Sequence, residues 1–303
     1  MSGVSLVLST FNGAACLQEV LSGYVSCNAP KVPWELIIVN NGSTDTTEQV
    51  IAGFKDRLPL KVLRHDVPGK NGCLNYALTV AVGDLIVLTD DDAIPDENFI
   101  CEWEKMLSDA EEFDVFGGKI IPRFPSAIPS FLEKNHEHFP ALFAAIDRGN
   151  GPADKDSVFG PNMAVRRRVF EGGLLFDETI GPNSSQHFYK MGSESEFCDR
   201  ADRAGLKFWF NSRAVVSHII RPHQMTRDFV KARAFRHGSG IAYRESLSGA
   251  IGSQAVFSLD RANWLIRDWR YRLFPSAKSD DDLWSFHWKR GYVQTKLNLS
   301  RSE

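Results

Sequence analysis

The first half of the chain alternates short apolar runs with segments whose apolar residues recur every three or four positions. The apolar runs are rich in β-branched residues, which is typical of buried strands in a parallel sheet. The segments between them have the spacing of helices that cover such a sheet. The pattern therefore predicts βαβ units. The predicted strands are Val4–Leu8, Glu35–Val39, Leu60–His65 and Asp84–Leu88, and the predicted helices are Thr44–Phe54 and Gly72–Val82.

Polar residues follow the first, second and fourth predicted strands, as Ser9–Asn12, Asn40–Asp45 and Thr89–Asp92. In an open α/β sheet the ligand crevice lies outside the carboxyl ends of the strands. We therefore expect these three loops to line one cleft.

The second half of the chain has longer connections and then a helical end. Glu194–Ala204 has helical spacing, and Lys207–Phe210 has the pattern of a strand. Beyond Thr226 the pattern is helical and carries arginines and tryptophans. We predict an α/β domain over residues 1–225 and a helical extension over residues 226–303. The run Arg166–Arg168 is expected at the exposed start of a helix.

Composition indicates a globular protein and narrows its partners. The 303 residues are 43% hydrophobic and 24% charged, with a net charge of −3, which excludes collagen-like, coiled-coil and disordered classes. The small negative charge argues against nucleic acid as a partner. No apolar stretch reaches the roughly 18 residues of a membrane span, and no secretory signal opens the chain. Five scattered cysteines without a C-x-x-C pair fit a reducing compartment, so we expect a cytoplasmic location.

The triplet Asp90-Asp91-Asp92 is the strongest local signal for chemistry. Carboxylates packed this closely repel one another, and a divalent cation removes that repulsion while leaving positions for phosphate oxygens. The triplet therefore indicates Mn²⁺ or Mg²⁺. The alternative is a solvated acidic turn in which Asp92 or Asp96 caps the next helix.

Two further turns open helices. In Asn41–Asp45, Ser43 or Thr44 is the expected N-cap, and Asp45 complements the helix dipole. In Gly69–Gly72, Lys70 and backbone N–H groups could approach a diphosphate. This second turn lacks the spacing of a P-loop, so ATP hydrolysis is not indicated.

Glu194 and Glu196 stand at the start of a predicted helix, two positions apart, so they do not share a face. One could face the cleft as a general base while the other is structural or solvated. His218 could complete a metal site as a neutral imidazole, or it could be a hydrogen-bonded core residue.

Taken in order, these motifs resemble the family 2 inverting glycosyltransferases of the GT-A fold. Each motif is weak or moderate alone, and their order and spacing over residues 4–220 carry the resemblance. The matching segments are Val4–Asn12, Ile38–Asp45, Gly69–Asn75, Asp90–Asp92 with Pro95, Gly160–Ala164 and Gly192–Phe197.

The resemblance implies a Rossmann-like, mostly parallel sheet flanked by helices, and a nucleotide-sugar donor, with a UDP-sugar expected. Asp90 and Asp92 would act as the D-x-D motif, with His218 near the metal and diphosphate. Glu194 would be the base that deprotonates the acceptor hydroxyl of a glycan, lipid-linked or other acceptor. The resemblance assigns the remaining donor contacts to Thr10, Asn12, Asn40, Gly42, Asp45, Lys70, Asn75, Asp91 and Asn162.

The sequence departs from the family pattern at two of these positions. Asn40 stands where an acidic residue that contacts the base is common, and Glu194 stands where an Asp base is usual. A Q-x-x-R-W motif and membrane helices are absent from the sequence, which favours transfer of a single sugar in glycan or glycoconjugate synthesis. The basic, tryptophan-bearing C-terminal segment suggests peripheral association with the cytoplasmic face of a membrane. The alternatives are a nucleotidyltransferase and a non-catalytic sugar-nucleotide-binding protein.

Overall fold

The computed structural model describes residues 3–186, 188–247 and 283–299. Its contacts divide the chain into two units. The first, here called the sheet unit, comprises Met1–Arg123, Phe143–His187 and Ser193–Ile219. The second, the helical unit, comprises Phe124–Leu142, Phe188–Gly192 and Ile220–Glu303. The described part of the extension predicted over residues 226–303 belongs to the helical unit, and residues 248–282 and 300–303 of that prediction lie outside the described residues.

The sheet unit is built on a mixed sheet in which six strands run in one direction. The sheet order is β3-β2-β1-β4-β8-β6-β9-β5, and β7 pairs with β9 outside this path. Strands β5, β7 and β8 run against the others. The strands are β1 (Val4–Thr10), β2 (Trp34–Asn40), β3 (Leu60–Arg64), β4 (Leu85–Asp90), β5 (Ala93–Pro95), β6 (Val115–Arg123), β7 (Gly151–Ala153), β8 (Asn162–Arg166) and β9 (Phe208–Ile219).

Helices connect the strands and continue to the end of the described chain. Short 3-10 turns lie at His136–His138, Lys155–Ser157 and Pro222–Met225. The α-helices are α1 (Ala14–Ser26), α2 (Thr47–Ala52), α3 (Lys70–Leu78), α4 (Phe99–Asp109), α5 (Ser130–Glu133), α6 (Phe139–Phe143), α7 (Arg167–Glu171), α8 (Ser193–Arg203), α9 (Arg227–Leu247) and α10 (Leu283–Leu299).

The central strands are apolar at successive positions because both faces of the sheet are covered. Leu6 and Leu8 of β1 belong to one buried core, and Val7 between them belongs to a second core. The same alternation places Ile38 in the first core and Ile37 in the second. Burial on both faces is characteristic of parallel sheets between layers of helices. The prediction of a mostly parallel, helix-flanked sheet is therefore confirmed.

The structure corrects several local predictions. Strand β4 continues to Asp90, so the first carboxylate of the triplet lies inside the sheet ladder. Strand β9 extends to Ile219, far beyond the predicted Phe210. Arg166 was expected to be exposed, but it ends β8 and is 6% exposed, with its guanidinium donating to the carbonyls of Met106 and Ala110. The carbonyl groups at the end of α4 replace water as its partners.

The helical unit is held together by close packing of α9 against α10. A Cβ added at Gly238 would collide with the carbonyl oxygen of Trp288, and one at Gly291 would collide with that of Phe235. The hydroxyl of Ser239 donates to the carbonyl of Gly291 at 3.2 Å. Small residues therefore let the two backbones touch. Within the described residues, no helix combines the length and hydropathy that crossing a membrane requires.

Candidate active site

The polar loops predicted to line a cleft begin at neighbouring strand ends. In the parallel ladder Thr10 pairs with Asn40, and Ser9 pairs with Asp90. The carboxyl ends of β1, β2 and β4 therefore meet at one edge of the sheet, as predicted. This edge is where an open α/β sheet binds its ligands.

The three carboxylates of the triplet have three different partners. Asp90 Oδ1 accepts a hydrogen bond from Lys70 Nζ at 2.5 Å. Asp91 Oδ2 accepts one from the buried hydroxyl of Thr10 at 2.6 Å. Asp92 Oδ1 lies 3.3 Å from His218 Nε2. The triplet is thus a branching point of polar contacts, and its repulsion is relieved by specific partners in addition to any cation.

Lys70 links the triplet to the start of α8. Its ammonium lies 3.8 Å from Glu194 Oε1, and the side chains of Lys70, Asp90 and Glu194 are each at most 26% exposed. Burial opposes the charge on Lys70, but the neighbouring carboxylates of Asp90, Glu194 and Asp92 outweigh it and raise its pKa above the ordinary value. The ammonium is therefore charged at neutral pH and partly neutralises two predicted site carboxylates.

His218 has the hydrogen-bonding arrangement of a metal ligand. Its Nδ1 lies 2.7 Å from the carbonyl oxygen of Phe143, which can only accept, so Nδ1 carries the proton and Nε2 faces Asp92. Burial disfavours the charged ring, but the hydrogen bond and charge of Asp92, the carbonyl of Phe143 and the charge of Asp90 together outweigh it and raise the pKa of His218. A backbone carbonyl that orients the imidazole in this way is the usual support of a metal-binding histidine.

The ligand atoms of Asp92 and His218 suit a metal ion that is also coordinated by a substrate. Among the described residues, no three His, Cys, Asp or Glu side chains converge into a complete metal cage. Mg²⁺ and similar hard cations are commonly held by one or two carboxylates together with substrate phosphates. Asp92 and His218 supply one oxygen and one nitrogen, and Asp90 lies two positions earlier, at the end of β4. These residues therefore fit a divalent cation shared with a diphosphate.

Asn12 and Asp45 join the loop after β1 to the loop after β2. Asn12 has a φ of 53°, and its Oδ1 accepts hydrogen bonds from the backbone N–H groups of Thr44 and Asp45. The carboxylate of Asp45 accepts from the hydroxyl and N–H of Thr47, which lowers the pKa of Asp45, and it also accepts from the N–H of Ala14. Asp45 therefore serves the starts of two helices.

The expected N-cap at Ser43 or Thr44 is wrong. Helix α2 begins at Thr47, and its first N–H is held by Asp45. The hydroxyl of Ser43 instead accepts a hydrogen bond from the N–H of Asn12 at 3.0 Å. The tertiary contact between the two loops thus determines where the helix begins.

Asn40 and Gly42 shape the same turn. Asn40 is 3% exposed, its Oδ1 accepts from the N–H of Ser43, and its amide donates to Glu48 at 3.1 Å. Gly42 has a φ of 73°, a conformation that favours glycine. Asn40 therefore acts on the shape of the loop, and Glu48 brings a carboxylate beside the position where the family commonly has one.

Two predicted donor contacts lie in other surroundings. The amide of Asn75 is paired with the carbonyl and N–H of Phe176 and with Glu178, so it ties α3 to that segment. Asn162 is fully buried and donates to the carbonyls of Lys119 and Ala214, beside the irregular register between β6 and β9. In this structure both amides support the fold, and their contact with a donor stays a prediction.

Sequence reasoning missed Asn41 as a residue of the site. Its amide donates to the carbonyls of His65 and Val67, and its Oδ1 accepts from the N–H of Gly69 at 2.9 Å. One side chain at the end of β2 thus fixes the loop that delivers Lys70. Its position inside the Asn40–Asp45 turn was the available signal, but the partners are more than twenty residues away in the sequence.

Glycines create the space in which two site contacts form. The carboxylate of Glu194 lies against Gly160, where an added Cβ would overlap it. At Gly13 an added Cβ would overlap both the Thr10 hydroxyl and the Asp91 carboxylate. These glycines were visible in the sequence only as turn residues, because the close approach involves segments far apart in the chain.

The two glutamates at the start of α8 differ as expected. Glu196 is 4% exposed and receives two hydrogen bonds from Arg200, at 2.6 and 2.7 Å. Glu194 Oε1 instead lies 3.8 Å from Lys70 Nζ, which also contacts Asp90. Glu196 is therefore the structural glutamate, and the role of Glu194 in the cleft stays a prediction.

Comparisons with known proteins agree with this geometry. The family model described as Glycosyl transferase family 2 matches residues 5–174, which is more than half of the chain. The chain belongs to glycosyl transferase family 2. It is therefore a glycosyltransferase, and the resemblance inferred from the motifs is confirmed.

Among similar proteins, glycosyltransferase AglE of Haloferax volcanii is 24% identical over 266 residues, which span 87% of this chain and 80% of that protein. A poly-beta-1,6-N-acetyl-D-glucosamine synthase of Staphylococcus epidermidis is 30% identical over 99 residues, 32% of this chain and 24% of the synthase. The match with the synthase is thus confined to a segment.

Two solved structures share the fold. Mannosyltransferase PcManGT of Pyrobaculum calidifontis, in complex with GDP-Man and Mn²⁺, has a TM-score of 0.65 at 16% identity and covers 97% of this chain and 86% of its own. TarS 1–349 of S. aureus in complex with UDP has a TM-score of 0.55 at 16% identity, and the match covers 100% of this chain and 92% of the TarS chain. The GT-A fold predicted for this chain is confirmed.

Proposed function

We propose that this glycosyltransferase is inverting and metal-dependent, and that it transfers one sugar from a nucleoside diphosphate sugar, with UDP-sugars the first donors to test, to an acceptor hydroxyl. The observation that carries the proposal is the convergence of Lys70, Asp90 and Glu194, beside the Asp92–His218 pair. This arrangement provides a cation for a diphosphate, two candidate metal ligands and a carboxylate that can take a proton. Glycan or glycoconjugate synthesis is the process in which we place it.

Different residues of the chain would bind different parts of the donor. The ammonium of Lys70, freed from Asp90 by a small rotation, would bind diphosphate oxygens. The loops after β1 and β2, held together by Asn12 and Asp45, would receive the nucleoside. Asp90 would then hold the ribose, as in a D-x-D motif. The complex of PcManGT with GDP-Man and Mn²⁺ supports this use of the fold.

Asp92 and His218, with Asp90 adjacent, would hold Mn²⁺ or Mg²⁺, and the cation would neutralise the charge that develops on the departing diphosphate. Glu194 would accept the proton of the acceptor hydroxyl as its oxygen bonds to the anomeric carbon. The bond between that carbon and the diphosphate oxygen breaks at the same time, and the nucleoside diphosphate leaves. Attack from the face opposite the leaving group inverts the anomeric centre.

Calorimetric titration tests the donor half of the proposal. Wild type and Asp92→Asn are titrated with UDP-, GDP- and other nucleoside diphosphate sugars, each with Mn²⁺, Mg²⁺ or EDTA. We expect one diphosphate sugar to bind in the presence of metal, and to bind much more weakly with EDTA or in the variant. Equal binding with EDTA would contradict the metal-dependent arrangement.

Product analysis tests the chemistry. The donor that binds is incubated with candidate acceptors, and the released nucleotide is identified together with the anomeric configuration of the product. We expect a nucleoside diphosphate and an inverted linkage. Release of pyrophosphate would indicate a nucleotidyltransferase, and binding without turnover on any acceptor or water would indicate a non-catalytic binding protein.

A further inference from the structure

The formal charges of the two units have opposite signs. Over its described residues the helical unit has eleven Lys and Arg against four Asp and Glu, a net charge of +7. The described residues of the sheet unit have eighteen against twenty-eight, a net charge of −10. The whole-chain charge of −3 hides this division. Opposite charges on separate units indicate that they face different partners.

Several cations of the helical unit lie over aromatic rings. Arg236 lies over Tyr189, with its guanidinium carbon 5.1 Å from the ring centre, and Lys190 Nζ lies 4.5 Å from the centre of Tyr243. A carboxylate would neutralise the charge of such a cation, whereas an aromatic ring orients the cation and leaves its charge in place. These side chains therefore keep their positive charge available to an external anion.

An exposed aromatic residue stands beside these cations. Phe188 is 43% exposed, and its ring centre lies 5.3 Å from that of Phe235. Arg290, an exposed residue of α10, lies over the same Phe235 ring at 5.8 Å. Segment 188–192 is also anchored to α9 by a hydrogen bond from the N–H of Met191 to the carbonyl of Arg236. We call the surface formed by Phe188, Lys190, Arg236 and Arg290 the basic aromatic surface.

We propose that the basic aromatic surface docks the enzyme on an anionic phospholipid bilayer. Clustered Lys and Arg side chains are attracted by the negative potential of such a bilayer. Phe188 adds an exposed ring that can enter the interface between headgroups and acyl chains, as aromatic residues at membrane surfaces do. A soluble polyanion would use the cations but would gain little from the exposed ring, so the combination favours a bilayer. The proposal is independent of the donor, the metal and the transfer reaction.

The first test is co-sedimentation of the full chain with vesicles. Phosphatidylglycerol vesicles are compared with phosphatidylcholine vesicles over a series of salt concentrations. We expect binding to the anionic vesicles that weakens as salt rises, and little binding to the zwitterionic ones. Equal binding to both, or no binding to the anionic vesicles, would overturn the proposal.

The second test locates the surface by charge reversal. The double variant Lys190→Glu/Arg290→Glu is compared with a control double variant, Lys31→Glu/Arg213→Glu. The control makes the same charge change at exposed residues of the sheet unit. Each basic residue near an anionic surface accounts for about a fivefold change in partitioning. We therefore expect binding to anionic vesicles to fall at least about tenfold for the first double variant and much less for the second. Equal losses would assign binding to total charge and overturn the proposal.

The third test distinguishes a bilayer from a soluble polyanion. Phe188→Ser is compared with Leu175→Ser, since both side chains are 43% exposed and they belong to different units. At high salt, where charge attraction is screened, we expect only Phe188→Ser to reduce vesicle binding. If soluble polyphosphate competes fully at every salt concentration and neither variant matters, the occupant is a polyanion and the proposal fails. Unchanged circular dichroism and melting temperature show that each variant is folded.

Discussion

The carboxylate of Glu194 lies against the bare Cα of Gly160, so the enzyme has no room for a methyl group at residue 160. Gly160 precedes β8 and Glu194 opens α8, which means that two distant turns meet at the proposed base. The contact fixes one side of the Glu194 side chain while Lys70 lies on another. The position of the base is therefore sensitive to a single atom.

Gly160→Ala is expected to displace Glu194 and to lower the rate of transfer by about tenfold to a hundredfold, because a misplacement of about 1 Å has effects of that size. The measurement is kcat with saturating donor and acceptor. Gly149→Ala is the control, since an added Cβ there meets nothing within 4 Å. Shortening the base with Glu194→Asp should restore part of the activity of Gly160→Ala. If the double variant is additive, the steric explanation fails.

Glu194→Gln and Glu196→Gln are expected to affect different properties, activity and stability, although the two residues are only two positions apart. Removing the base at Glu194 should lower kcat by about 10²- to 10⁴-fold with little change in melting temperature. Removing the buried partner of Arg200 at Glu196 should lower the free energy of unfolding by about 1–3 kcal/mol. Kinetics and thermal denaturation of both variants check this. A stable, fully active Glu194→Gln would exclude the residue as the base.

Asp92→Asn is expected to raise the Mn²⁺ concentration needed for half-maximal activity by about tenfold or more, since even weaker perturbations around a metal ligand reach that size. Titration of metal-free enzyme with Mn²⁺ measures the change. Asp96→Asn is the control, because that exposed carboxylate accepts a hydrogen bond from the N–H of Asn98 and was not assigned to the metal. The same metal dependence in all three proteins would remove Asp92 from the proposed metal site.

Asn41→Ala is expected to loosen the loop that carries Lys70, because three hydrogen bonds are lost. At about 0.5–1.5 kcal/mol each, the free energy of unfolding should fall by about 1.5–4.5 kcal/mol, and KM for the donor should rise. Asn183→Ala is the control, since its amide makes one hydrogen bond to the same loop, at Pro68. An unchanged KM would show that the loop keeps its shape without Asn41.

His237 is expected to make stability depend on pH. Burial, together with the nearby charges of Arg233, Arg244 and His138, lowers the pKa of His237 from 6.5 to about 4. Its Nδ1 also accepts a hydrogen bond from Trp288 at 2.9 Å. Between pH 6.5 and pH 4 the unfolded chain binds this proton and the folded chain does not. Stability from His237 is therefore fully present above pH 6.5 and is lost as the pH falls toward 4.

The loss should amount to about 2–3 kcal/mol, measured by urea denaturation at several pH values. His237→Gln keeps an acceptor for Trp288 and should flatten this part of the pH profile. His136→Gln, at an exposed histidine, should leave the profile unchanged. A steep profile that persists in His237→Gln would assign the titration to other groups.

The sequence by itself determined the central sheet. Leu6–Leu8 and Leu36–Val39 are apolar at successive positions because both faces of a parallel sheet are buried, and this pattern needs no knowledge of the partner strands. The sequence also placed Asp90 and Asn40 at strand ends, since polar residues that follow buried strands collect at one edge. Family membership followed from the order of these local motifs.

The tertiary structure alone decided which polar groups meet. The contacts of Asn41 with His65 and Gly69, and of Gly160 with Glu194, join segments that are distant in the sequence. No local pattern encodes such pairs, because a side chain's partner depends on how separate loops approach once the sheet has formed. Arg166 is the clearest example, since the sequence predicts an exposed side chain, whereas its guanidinium is buried and donates to carbonyl groups at the end of α4.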